Sequence, residues 1–386
     1  MRVGTAKFNG DRLKEAREAR GLTCKELAER LGVSRSSVSN YENAIQTPSP
    51  DALRALANAL GVSSAYFTRS LANEDASAQF FRSFHSATKR SRAMASRRYE
   101  WFREIVAFIH QFVKFPEVDV PDFSQSAESL TFNEVEHLAA EVRSHWQLGD
   151  RPISNVVWLL ENKGVACSRF RFESMSLDAF SEWRAMRPFI TLSSDKRCCV
   201  RSRYDAAHEL AHMVLHRRQD PGTIADYNRF SLMEQQADTF AAAFLMPAAT
   251  FANDFSPSLE VLRSLKRKWL VSIAAMVKRG RQLNLISEPQ EKNLWRQIAR
   301  RKWRTREPFD DLLPPEEPEF VRRSISLLER RGLSSTREIA FHLGLTEIEV
   351  SQLCGAMPCL EPELISELAA TPKGNDAEHT VLRLFH

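Results

Sequence analysis

One stretch constrains this chain more than any other: Tyr204-Asp-Ala-Ala-His208-Glu209-Leu-Ala-His212-Met-Val-Leu-His216. It contains neither glycine nor proline, and Ala207, Leu210, Ala211, Val214 and Leu215 supply an apolar stripe for packing, so a buried helix is expected. Residues four apart on a helix share a face, so His208 and His212 can offer imidazole nitrogens to one metal ion. Glu209 lies one position along, beside the coordination place such a site keeps open. There it can take a proton from a water and later pass it to a leaving amine. The fold must therefore bury a helix with a polar, metal-ready face.

A site of this kind needs a third protein ligand. Downstream, Met233-Glu234-Gln-Gln-Ala237-Asp238-Thr-Phe240-Ala-Ala-Ala-Phe-Leu-Met246-Pro247 reads as a second helix closed by proline. Glu234 is the expected ligand. Asp238, one turn later, is placed to accept a hydrogen bond from a ligating imidazole and so to set its tautomer. The expected cofactor is one Zn2+ per chain, although manganese accepts the same donors. His216 adds a third consecutive turn, and three turns of one helix reach a tetrahedral ion poorly; it reads as a packing or hydrogen-bonding residue. Tyr204 reads as core, not as the stabiliser of an oxyanion.

A different pattern opens the chain. Leu13, Ala16 and Ala19 begin an apolar stripe that ends at Gly21, and Thr23 with Glu26 forms a capping box for a second helix. Gly32 makes a tight turn and Ser34 caps a third helix, Arg35 to Glu42. Ser49 and Pro50 open a fourth, and Gly61-Val62-Ser63 precedes a short fifth. The string from Thr23 to Asn43 resembles the Xre-type, lambda-repressor-like helix-turn-helix family over residues 8 to 70. The resemblance implies that the third helix enters the major groove of an operator. Arg35, Ser36, Ser39 and Asn40 would face bases or phosphates, Thr23 and Lys25 the backbone, and Asn43 a further phosphate. It also implies a homodimer reading two half-sites.

Three compositional breaks divide the rest: after Ser70, near Phe115–Ser126, and at the proline-rich Arg306–Pro318. They predict units at 1–70, 71–129, 130–310 and 311–386. The second holds a basic run (Arg82, Lys89, Arg90, Arg92, Arg97, Arg98, Arg103) followed by Tyr99, Phe102, Ile105, Val106, Ile109, Phe112 and Val113 at helical spacing. It reads as a connector helix docking its apolar face, in preference to a second DNA-backbone contact. The last unit repeats a helix-turn-helix rhythm around Gly344, but Glu347 and Glu349 would repel phosphate, so scaffolding or dimerisation is expected. The six cysteines are scattered and expected to be thiols. No run nears the roughly 18 apolar residues a membrane span needs, and residues 1–10 have no signal-like core; a cytoplasmic protein is expected.

The two metal-motif helices together resemble the ImmA/IrrE family of metallo-endopeptidases. Leu148–Ile153, Leu159–Val165, Asp178–Ser181, the strand-like Pro188–Leu192, Leu262–Ser272 and Arg279–Leu283 extend the likeness over roughly residues 130 to 310. Ala211 stands where that family usually has glycine. The implied architecture is multidomain and mainly α: a five-helix helix-turn-helix, an α+β zincin-like (gluzincin) domain with a small sheet, and a helical C-terminal region. The implied function is a DNA-binding regulator with zinc-dependent endopeptidase activity, cutting an Xre-type repressor or acting with a neighbouring toxin, in mobile-element or stress control. The alternatives are a repressor or antitoxin that uses the peptidase fold as a sensing or dimerising body, and a structural zinc protein. The intact Glu209 argues against the last.

Overall fold

The computed structural model describes residues 5–70, the backbone of 80–81, and residues 88–124, 130–174, 176–184, 186–195, 198–219 and 226–355. Leu71–Gln79, Arg82, Ser126, Cys359 and the tail from 356 lie outside these. The chain begins with α1 (Gly10–Ala19), α2 (Cys24–Leu31), α3 (Arg35–Glu42) and α4 (Pro50–Leu60). The expected caps form. Thr23 and Glu26 cap α2 reciprocally, Ser34 accepts from the Ser37 amide, and Ser49 accepts from the Ala52 amide. The fifth element is a single 3-10 turn, Ser64–Thr68, that buries Tyr66 and Phe67.

Next comes a two-residue strand β1 (Phe80–Phe81), and then α5 (Lys89–His110). The apolar face of α5 buries Met94, Tyr99, Trp101, Phe102, Ile105, Val106 and Ile109. It is covered on several sides at once. Trp101 Nε1 donates to the Tyr66 hydroxyl at 2.8 Å, and Arg12 bridges Glu15 to Glu104 on α5 at 2.8 and 2.6 Å. Its basic residues largely meet acids: Arg90 pairs with Glu26, Arg97 with Glu18, Arg98 with Glu349 and Arg103 with Glu100. The docking reading of this helix is the one the packing favours.

The C-terminal helices, α14 (Phe320–Arg330), α15 (Thr336–Leu343) and α16 (Glu347–Leu353), close over the same core. Glu349, expected to repel phosphate, is buried, and its carboxylate takes Arg20 at 2.6 Å and Arg98 at 3.2 Å. The Ser63 amide donates to the Gly344 carbonyl at 2.8 Å, and Arg69 Nη1 to the Leu343 carbonyl at 2.6 Å. The helix-turn-helix, α5 and the C-terminal helices therefore share one hydrophobic core.

A second core belongs to the middle of the chain: α6 (Phe132–His145), α7 (Val156–Asn162), α8 (Cys199–Leu215), α9 (Tyr227–Leu245), α10 (Ala248–Asp254), α11 (Leu259–Trp269), α12 (Ile273–Gln282) and α13 (Glu288–Arg300). Between the two cores stands the sheet, built from β1, β2 (Ala166–Phe170), β3 (Ala179–Arg184) and β4 (Arg187–Ser193) in the order β1-β3-β4-β2. β2 and β4 run parallel; β3 is antiparallel to both β4 and β1. Because strand side chains alternate, β2, β3 and β4 each feed both cores. Ala179, Trp183, Ile190 and Leu192 enter the metal-motif core, and Phe180, Phe189 and Phe170 the other. Among the described residues, no helix is long and apolar enough to cross a membrane.

Candidate metal centre and DNA-reading surface

Helix α8 is buried almost throughout and lies against β3, β4 and α9. α9 begins where the Asp226 side chain accepts from the Asn228 and Arg229 amides. This pairing brings His208, His212 and Glu234 together, one donor atom from each lying within 4.8 Å of the others. The two Nε2 atoms are 3.2 Å apart. His212 Nε2 lies 3.1 Å from Glu234 Oε1, and His208 Nε2 3.5 Å from Oε2. Burial would raise the Glu234 carboxyl, but the hydrogen bonds and charge of both imidazoles hold it well below its usual range. Burial first of all lowers His212, which favours the neutral imidazole that ligation requires. Two nitrogens and an ionised carboxylate fit a zinc ion and leave one position open.

The surrounding bonds set the direction of each ring. His208 Nδ1 meets Asp238 Oδ1 at 3.0 Å, as the spacing of Glu234 and Asp238 predicts. His212 Nδ1 meets His216 Nδ1 at 3.0 Å, His216 Nε2 meets Gln236 Oε1 at 3.0 Å, and Gln236 Nε2 donates to the Leu130 carbonyl at 3.1 Å. Only one assignment of protons satisfies this row with the His212 Nε2 lone pair left for metal. His212 Nδ1–H donates to His216 Nδ1, and His216 Nε2–H donates to Gln236. The row needs a neutral His216, and burial, then the neighbouring His212, drive that imidazole down to about 3. Both His216 nitrogens thus face partners other than the centre, as a hydrogen-bonding role requires. Tyr204 donates its hydroxyl to the Asp238 main-chain oxygen at 2.8 Å and is only half-buried.

Glu209 is fully buried, and the Ser181 hydroxyl donates to its Oε2 at 2.6 Å. Ser181 shares the strand face of Ala179 and Trp183, the face that α8 covers. In the sequence Ser181 stands only within a family-like stretch. Neither its role nor that of Gln236 is legible there, although Gln236 sits two residues from the expected ligand. A cavity of about 200 Å³ lies beside Asp238 and Tyr204, lined also by Asp205, Arg201 and Lys278; His208, His212, Glu234, Glu209 and Ser181 do not line it.

On the helix-turn-helix, Thr23, Lys25, Arg35, Ser36 and Asn43 are exposed, while Ser39 and Asn40 are half-buried. Asn43 Nδ2 donates to the Ser39 carbonyl at 2.8 Å, which steadies the end of α3. Glu42 turns inward and pairs with Arg17 at 2.5 Å, so its charge is neutralised. The start of α3 faces solvent: the Ser34 hydroxyl is bonded to those of Ser36 and Ser37, each at 2.8 Å, and the Arg35 guanidinium is exposed.

Residues 13–67 match the helix-turn-helix family, and residues 160–280, from within α7 to within α12, match the IrrE N-terminal-like domain. The chain carries both domains. The first is 46% identical over 57 residues to the HTH-type transcriptional regulator ImmR of Bacillus subtilis (strain 168), covering 15% of this chain and 45% of that protein. The chain thus spans less than half the length of that relative. A helix-turn-helix is joined here to a metallopeptidase-type domain with a His/Glu group suited to a metal.

Proposed function

We propose that this chain is a DNA-binding regulator with zinc-dependent endopeptidase activity, directed at an Xre-type repressor or a related regulator. The observation that carries the reading is the convergence of His208, His212 and Glu234 beside a buried Glu209 that Ser181 holds in place. Zinc, when bound by those three residues, supplies a Lewis acid for the scissile carbonyl. The remaining steps belong to the chain. Glu209 takes a proton from the attacking water and returns it to the amine as the peptide bond breaks. Ser181 keeps the Glu209 carboxylate in one rotamer by donating to the oxygen it bonds. Asp238 and the His216–Gln236 row hold the imidazoles to the rotation at which both Nε2 atoms point inward.

The proposed division of labour follows residues 1–70 for DNA, 71–129 as connector, 130–310 as peptidase and 311–386 as scaffold. Thr23, Lys25, Arg35, Ser36, Ser39, Asn40 and Asn43 form the proposed operator contacts, presented twice by a homodimer. The test uses the wild type and Glu209→Gln, each assayed for bound zinc, operator binding and cleavage of Xre-type repressors encoded beside the gene. Cleavage by the wild type alone, at equal zinc content, is expected. Equal zinc and DNA binding with no cleavage of any neighbour would refute the peptidase and favour a regulator that uses the fold as a sensing body.

A further inference from the structure

Charge is spread unevenly along this chain. Residues 259–306, which form α11, α12, α13 and the turn after them, hold fourteen lysines and arginines against three glutamates, while the whole chain nets only +5. Two of the fourteen are neutralised inside the fold: Lys266 by Glu307 and Asp310, and Arg279 by Glu136. The other twelve are exposed. Some meet acids at the surface, as Lys292 meets Glu288 and Lys268 meets Asp254. Among the described residues, no acid pairs with Arg267, Lys278, Arg296, Arg300, Lys302 or Arg304. Packing puts these cations together. Leu294 and Ile298 turn the inner face of α13 into the core. Arg296 stands two residues from each, about 200° around the helix, so Lys292, Arg296 and Arg300 form a row along the outer face. At the end of that row Arg301 reaches back to Glu260 of α11 at 2.8 Å, which joins the two helices into one surface. Arg201 on α8 holds the Arg304 and Thr305 carbonyls at 3.1 and 2.8 Å. Arg201 and Lys278 both line the cavity beside Asp238, so the basic surface continues to the flank of the metal centre.

We propose that this face is a second DNA contact, distinct from the helix-turn-helix: it binds the phosphate backbone of duplex DNA without reading sequence. Uncompensated like charges repel one another, and a polyanion that neutralises them is held further by the counterions it releases. The rest of the surface selects among polyanions. Residues 259–306 expose no large hydrophobic side chain, so they offer nothing to insert among lipid headgroups. Trp295 and Trp303 pack on the core, and Arg301 lies over the Trp303 ring at 5.0 Å, so these aromatics serve the fold and not the stacking of single-stranded bases. What remains on offer is charge alone, which suits a duplex backbone, and the chain's own helix-turn-helix brings a duplex to it. A backbone contact here would hold the metal-bearing unit on DNA, near other proteins bound to the same duplex. That gives the proposed endopeptidase a route to a DNA-bound repressor; this consequence rests on the peptidase reading, and the contact itself does not.

The test is a salt titration of DNA binding that needs no turnover. The probe is a fluorescein-labelled duplex of about 30 base pairs of arbitrary sequence, bound by the full chain between about 50 and 400 mM salt. The comparison is the full chain carrying Arg296→Ala, Arg300→Ala, Lys302→Ala and Arg304→Ala. Each phosphate contact contributes about 0.9 to the slope of log K against log salt, so the variant's slope should be shallower by about three. Its affinity near physiological salt should fall at least 10-fold. The same loss is expected when Lys25→Ala and Arg35→Ala are already present, because distant, independent contacts add. A charge-keeping variant, Arg296→Lys, Arg300→Lys and Arg304→Lys, should retain the wild-type slope. Equal slopes for the wild type and the alanine variant overturn the proposal. So does a loss that vanishes in the Lys25/Arg35 background, which would trace the effect to the helix-turn-helix, or a loss of slope in the charge-keeping variant, which would trace it to the fold. Vesicles of phosphatidylcholine with phosphatidylserine form the last arm: a wild type that binds them, with binding lost in the alanine variant and the DNA slope unchanged, assigns the surface to a membrane instead.

Discussion

Replacing His216 by Phe tests the row of hydrogen bonds behind the metal centre. The side chain is fully buried, so a ring of similar size keeps the packing while removing both of its nitrogens. The change takes away the acceptor for His212 Nδ1–H and the donor to Gln236 Oε1. Losing a buried hydrogen-bond partner costs about 1–3 kcal/mol. The share that falls on His212 loosens the ring rotation that aims Nε2 at Glu234. Removing the bond partner of a ligating imidazole typically weakens metal binding 10- to 100-fold, or about 1.4–2.7 kcal/mol. The two routes to the magnitude agree. Because metal binds the native state, a tenfold loss of affinity also removes about 1.4 kcal/mol of zinc-dependent stabilisation at fixed free zinc.

The assay is a zinc titration against a chromophoric chelator, with thermal unfolding measured with and without zinc. Operator binding serves as the folding control, since the helix-turn-helix sits in the other core. Gln236→Leu provides the internal comparison. It leaves His216 able to accept from His212 but deprives His216 Nε2–H and the Leu130 carbonyl of their partner. Its zinc affinity should fall less than that of the His216 variant, and its metal-free stability should fall by about 1–3 kcal/mol. Zinc affinity unchanged within about threefold in a folded His216→Phe protein would show that this row does not orient His212.

Further expectations concern the remaining units. Burial alone would raise the Glu349 carboxyl, but Arg20 and Arg98 hold it below its ordinary 4.5, so the group stabilises the fold fully above that value and loses its contribution as pH falls below it and through the group's own lower value. Glu349→Gln should therefore cost about 3 kcal/mol near neutrality, with the gap in denaturant midpoint between variant and wild type closing below about pH 4.5. At Gly344, φ is +72° and an added Cβ would lie 2.9 Å from both Ser63 Oγ and Tyr66 Cβ. Gly344→Ala should cost about 1–3 kcal/mol and expose residues 336–353 to limited proteolysis; wild-type cleavage rates would contradict that close approach. On DNA, Arg35→Ala should weaken operator binding by about 1–3 kcal/mol with relaxed sequence preference, while Lys25→Ala should weaken all sequences alike and reduce the salt slope by about one. Unchanged binding of both variants in a gel-shift series would remove α3 and the start of α2 from the interface.

What was legible in the sequence was local. The capping box at Thr23 and Glu26, the Ser34 cap and the four-residue spacing of His208 and His212 are each decided within one or two helical turns, and each appears where the residues predict it. Glu234 and Asp238 were readable for the same reason, since one turn of one helix relates them. The partners of these elements were not readable. Glu349 looks like a surface charge until Arg20, 329 residues away, is folded against it, and no local pattern encodes that meeting. The apolar stripe of α5 announces burial but not that three separate parts of the chain will cover it.

Ser181 shows where that boundary falls. Alternation along β3 assigns it to the face of Ala179 and Trp183, and this much is a property of the sequence. Reaching Glu209 further requires that β3, not β4 or β2, lie against the motif helix at that turn, and that depends on the sheet order β1-β3-β4-β2. Sheet order comes from pairings over long separations, where a one-residue slip would move Ser181 to the opposite core and put Phe180 or Glu182 against α8. A bulky or charged side chain there would meet the Glu209 carboxylate in a fully buried space, so the register and the rotamer of the proposed base are held by the same packing. Metal ligands set on one helix can be found by spacing; the group that steadies the base, supplied across a sheet, emerges only once the fold has chosen its register.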